Sequence, residues 1–109
     1  MTEIIRQTSA VDGKPIFVLK GAIIKHIEEE KNGVSSRTGN SWKLRNINVL
    51  VDNGEGTPSD YMRITLRGAV CDKFHTRKFE VNMPIDLEIH FNITNGKYQN
   101  AEIIAFDII

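Results

Sequence analysis

Disulfides are excluded from this chain, because it holds a single cysteine, Cys71, which can neither pair within the chain nor hold a metal alone. It reads as a small buried hydrophobe. Long apolar runs are missing too, and none approaches the ~20 residues that a bilayer crossing needs. The start, Met1 to Arg6, lacks the apolar stretch and small-residue cleavage site of a secretory signal. A reducing, cytoplasmic setting with no membrane partner is expected. Charge of one sign is not in excess: fourteen Lys and Arg balance fourteen Asp and Glu. A generalised cationic attraction for a polyanion is therefore excluded, and any electrostatic footprint has to be a local patch. Catalytic and metal motifs are also wanting. His26, His75 and His90 lie far apart without a ligand-spaced partner, and neither a nucleophile elbow nor a phosphate-cradling glycine loop occurs. Asp86 and Glu88 with His90 read as the polar side of a strand, and Glu28-Glu29-Glu30 as an exposed strand end. No enzyme activity, cofactor or metal is expected.

What is present is enough apolar material for one core: 109 residues, 40% hydrophobic, room for a single domain of ordinary size. Residues 1–15 are polar and unpatterned and read as an arm or edge strand, with the domain proper over 16–109. From Ile16 to about Lys31 the chain is β-branched, with Gly21 marking a bend. A polar stretch from Lys31 to Ser41 has turn points at Gly33 and Gly39. A second strand runs from Trp42 to Val51, with Ile47, Val49 and Val51 on one parity. Asp52–Asp60 is a loop. In the third strand, Tyr61 to Arg67, Met62, Ile64 and Leu66 face one way and Tyr61, Arg63, Thr65 and Arg67 the other. Val70 and Phe74, four apart, suit one short amphipathic helix over about 69–78. The fourth strand, Ile85 to Ile93, places Ile85, Leu87, Ile89, Phe91 and Ile93 in one register. Asn95-Gly96 is a hairpin signal, and Tyr98 to Ile109 forms the fifth strand.

Three strands, one short helix and a two-strand hairpin is the order of the OB-fold, an all-β, five-stranded Greek-key barrel. An SH3-like barrel is the nearest rival, without a helix at that place. Ile64, Ile89 and Phe91 are expected in one core whose end Val70 and Phe74 close. Phe17 and Phe79 are assigned to packing, and Phe106 to the core or a subunit contact.

The local charge is uneven. Residues 1–50 carry eight basic and five acidic side chains, residues 51–109 six and nine. Within 61–78, Arg63, Arg67, Lys73, Arg77 and Lys78 face Asp72 alone. A binder of single strands needs flat aromatic faces and cations that track phosphates. Tyr61, Arg63 and Arg67 supply both on the third strand. Arg37, Trp42, Lys43 and Arg45 supply both on the second strand and its preceding loop, and Lys97 with Tyr98 extend the set to the hairpin tip. Each has a plainer reading: Trp42 as packing at the barrel end, Tyr61 as a favoured strand residue, the arginines as solvated positions.

The layout resembles single-stranded-DNA-binding proteins of bacterial and phage type. The run Arg37-Thr38-Gly39-Asn40-Ser41-Trp42-Lys43 is similar to the loop-to-strand segment of a small bacterial OB-fold family of unassigned function. The likeness continues through Met62–Gly68, the hairpin and Ala105-Phe106. The resemblance implies sequence-tolerant binding of single-stranded DNA, with RNA left open, in replication, recombination or repair. Bacterial members carry a flexible acidic tail that recruits partners. This chain ends at Asp107-Ile108-Ile109 directly after a strand, so recruitment by such a tail is not expected. A protein-interaction module is the second reading and an oligosaccharide-binding domain the third. The last strand is apolar on both parities, Ile104, Phe106 and Ile108 against Ile103 and Ile109. That predicts a homo-oligomer, a dimer ahead of a tetramer.

Overall fold

The computed structural model describes residues 2–8, 13, 15–94 and 100–109, with side-chain surroundings for all of these except 92–94, 100 and 101. The hairpin signal Asn95-Gly96, with Lys97 and Tyr98, lies outside the described residues. Seven strands and one helix follow in order: β1 (Glu3–Thr8), β2 (Pro15–Ile27), β3 (Lys31–Val34), β4 (Ser41–Val51), β5 (Asp60–Arg67), α1 (Ala69–Thr76), β6 (Pro84–Thr94) and β7 (Asn100–Ile108).

The barrel closes because β2 is long enough to pair on two sides. Its first part pairs with β6 and its last part with β4, giving the closed order β2-β6-β7-β5-β4-β2. A single parallel step joins β5 to β7, at Thr65 and Ile104. This is an OB-fold barrel, with β1 added along β2 and β3 added along β4. The bend in β2 falls at Gly21, whose φ of 74° disfavours side-chain-bearing residues. There Lys20 and Gly21 stand opposite Asp86 alone, between the pairs Leu19–Leu87 and Ala22–Ile85. Asp86 is more than a solubilising carboxylate, since it accepts the Gly21 N–H at 2.8 Å.

The alternating apolar positions fill the interior as expected: Leu19, Ile24, Ile47, Val49, Ile64, Leu66, Leu87 and Ile89 are almost wholly buried. Four expectations need correction. First, Phe91 is 50% exposed. It keeps the parity of Ile89, but the β2–β6 pairing ends at Phe17 and Ile89. Phe91 overhangs the barrel end, edge-on to Phe17 at 5.3 Å. Second, Lys31–Val34 is a strand, and Gly33 is paired with Trp42 rather than being a turn point. Third, Cys71 and Phe74 are the deeply buried pair of α1, with Val70 only partly covered. Three-residue spacing serves a helix face as well as four-residue spacing. Fourth, Ile104, Phe106 and Ile108 do not share a face. A bulge sets Glu88 opposite Asp107 and Ile89 opposite Ala105, leaving Phe106 without a partner. Ala105 and Ile108 therefore enter the core while Phe106 is 57% exposed. Its ring meets His90 edge-on at 5.3 Å, so His90 is a half-covered residue and not a solvated one.

Candidate nucleic-acid interface

Residues paired across neighbouring strands point to the same side of the sheet, so the β4–β5 register defines the outer face row by row. Gly33 with Trp42 forms the first row. Lys31, Leu44 and Arg67 follow, then Asn46 with Thr65, Asn48 with Arg63, and Leu50 with Tyr61. Trp42 and Tyr61 therefore bound a single face, eight residues apart along β4, or roughly 27 Å at the rise of a strand. Two contiguous grooves cover this span and share Leu44 and Arg67. One, of about 780 Å³, runs past Gly33, Trp42 and Gly68. The other, of about 600 Å³, runs past Asn46, Tyr61, Arg63 and Thr65.

The aromatic groups are presented for contact. Tyr61 is 72% and Trp42 45% exposed. Trp42 is held in place by the absence of a side chain across from it. A Cβ at Gly33 would come within 2.8 Å of the indole Cζ2. In the groove floor Asn46, almost buried, accepts the Thr65 hydroxyl at 2.6 Å through its Oδ1.

The cations are less free than the sequence implies. Arg63 makes a two-pronged pair with Glu28, at 2.9 and 3.0 Å. This contact raises the guanidinium's pKa and holds the Glu28 carboxyl below its ordinary value. Arg67 pairs with Glu102 at 3.1 Å. The structure thus brings Trp42, Tyr61, Arg63 and Arg67 together, with Arg37 exposed in the adjoining loop. Arg45 lines neither groove, whereas Lys43 lines the first one beside Trp42. Alternation sends them to the opposite side of β4 from Trp42. Lys43 is salt-bridged there to Asp72 of α1, which raises its pKa. Arg45 is paired with the buried Leu66 and turns towards the barrel end. Sequence reasoning missed Lys31, Asn46 and the opposing carboxylates Glu28 and Glu102. Asn46 had a signal, its parity with Trp42 and Leu44, whereas Lys31 reaches the face only through the β3–β4 register. The carboxylates had none, as each arrives from a remote strand or its edge.

Cys71 lies on the buried face of α1, against Glu30 of the first groove. Burial, then its contact with Glu30 at 3.3 Å, pushes the thiol up to about 11. It remains a protonated thiol at neutral pH, the weakly nucleophilic form.

Comparison with solved structures returns the same barrel. The SSB domain of a Synechococcus sp. protein is 13% identical and superposes with a TM-score of 0.59, over 85% of this chain and 91% of that one. The mitochondrial single-stranded DNA binding protein Rim1 of S. cerevisiae is 14% identical, with a TM-score of 0.61 over 86% and 90%. Identities this low establish a shared fold. The sequence matches no family model and no curated protein.

Proposed function

We propose that this protein binds single-stranded DNA with little sequence preference, along the outer face of β4 and β5. The observation that carries the reading is a pair of contiguous grooves bounded at their far ends by two exposed aromatic rings, Trp42 and Tyr61, with Arg63 and Arg67 between them. Bases stack on any flat ring, so such a surface tolerates any sequence, and guanidinium groups track the phosphates. The two structural neighbours, an SSB domain and a mitochondrial single-stranded DNA binding protein, support the same ligand. Lys31 and Arg37 extend the cationic track in this reading, and a role beside replication or repair follows from the ligand. A single base cannot touch both rings across roughly 27 Å, so the bound unit is a strand of several nucleotides, within the ~4–16 that an OB-fold covers.

One observation favours a second reading, a protein-interaction module. Both strand arginines are already neutralised, by Glu28 and Glu102. Salt separates the two, because phosphate binding weakens steeply as salt rises. Anisotropy titrations of labelled oligo-dT, oligo-rU and duplex DNA at several salt concentrations test both. Trp42→Ala and Tyr61→Ala should each cost ~1–3 kcal/mol of binding. Arg63→Ala and Arg67→Ala should each also flatten the slope of log affinity against log salt by about 0.7. Absence of oligo-dT binding by the wild type at low salt rejects the nucleic-acid reading.

A further inference from the structure

Among the described residues, the cations that line the two grooves are Lys31, Lys43, Arg63 and Arg67. All but Lys31 hold a carboxylate, and each carboxylate comes from a different part of the chain. Asp72 of α1 holds Lys43, Glu28 just past the end of β2 holds Arg63, and Glu102 of β7 holds Arg67. Glu28 is fixed beside β4 by its own backbone, whose N–H donates to the Asn46 carbonyl at 2.9 Å.

The two arginine pairs are open to solvent and unequal. Arg63, 58% exposed, donates to Glu28 through both Nε and Nη2. Arg67, 51% exposed, donates to Glu102 through Nη2 alone. Exposed ion pairs are weak, so a phosphate oxygen can replace the carboxylate on either guanidinium. A guanidinium that must first release a carboxylate nevertheless binds a phosphate less tightly than a free one, by the fraction of time it stands unpaired.

We propose, on the strand-binding reading above, that Glu28 and Glu102 set the affinity of the groove by occupying Arg63 and Arg67 until phosphates displace them. In the free protein each carboxylate holds donors that a phosphate would use, and on binding the guanidinium changes partner. Phosphate charge is thus opposed at both arginines, and stacking on Trp42 and Tyr61 supplies the difference. The salt dependence comes from counterions that the strand releases, so the carboxylates lower affinity without altering that slope. Glu28, with two hydrogen bonds against one, is the stronger restraint.

Anisotropy titrations with oligo-dT at several salt concentrations compare wild type, Glu28→Gln, Glu102→Gln and the double variant. Each single variant should bind roughly threefold to fivefold more tightly. Glu28→Gln should gain more than Glu102→Gln, with the slope of log affinity against log salt unchanged. The Arg63 Nε–Hε NMR cross-peak, assigned by its loss in Arg63→Lys, reports the change of partner. Wild type and Glu28→Gln should differ at this peak when free and coincide in their oligo-dT complexes, where both contact phosphate. Binding by the double variant but not by wild type supports the restraint and rejects strand binding by the wild type. Wild-type affinity in both single variants overturns the proposal and leaves strand binding standing, as does an Arg63 peak that oligo-dT does not move in the wild-type complex. Absence of binding in wild type and double variant alike overturns both.

Discussion

Gly33 does for Trp42 what no side chain could do, since it leaves open the space that the indole occupies. Gly33→Ala should therefore displace the ring while leaving the strand pairing intact, because the indole is half-exposed and has room to swing outward. Trp42 is the sole tryptophan, so its fluorescence reads the displacement without a label. The expected outcome is a red-shifted emission, weaker oligo-dT binding and little change in urea midpoint. An unchanged spectrum would mean that the close approach does not position the ring. The same scale explains why neighbours in sequence differ in use. Trp42 and Lys43 are adjacent, yet a strand turns one to the groove and the other to Asp72.

At the scale of elements, β6 combines two environments in one regular pattern. Leu87 lies where β6 pairs with both β2 and β7, and is fully buried. Phe91 lies beyond the last β2 pair and is half-exposed. Leu87→Ala should cost about 2–5 kcal/mol of stability, as core truncations do. Phe91→Ala should cost about 1 kcal/mol or less, the loss of an edge contact with Phe17. Urea denaturation of the two variants measures the difference, and equal losses would place Phe91 in the core after all. The bulge in β7 works in the opposite sense. By adding Phe106 without a partner it returns Ile108 to the interior and turns an aromatic ring outward.

For the whole molecule, the consequence is an exposed aromatic ring beside His90. Phe106 is 57% exposed there, next to the nearly buried Ile104. Linking several short grooves raises the effective concentration for one strand, which suits a small barrel. A homodimer is the expected solution state, and Phe106→Asp should dissociate it, by placing a charge in an apolar contact. Light scattering at micromolar concentration measures both. A monomeric wild type would remove this expectation without touching the groove.

Much of the barrel was legible in the residue pattern. Period-two burial in Ile47–Val51, Ile64–Leu66 and Ile85–Ile89, a glycine at the bend of β2 and a short helix before β6 are local properties, and local chemistry produced them. The outward set Tyr61, Arg63 and Arg67 followed from the same alternation. Only the tertiary structure decided where that alternation stops meaning burial. Phe91 keeps the core parity but has no third strand beside it, and Phe106 breaks parity through a bulge whose cause is the register with β6. It also decided which cations stand free. The pairs of Arg63 with Glu28 and Arg67 with Glu102 each join residues 35 apart in sequence, and Arg45 meets Lys78 only where the helix end closes the barrel. Burial depends on what packs opposite a residue, and charge on what lies across a gap, and neither is a property of the residue's neighbours in the chain.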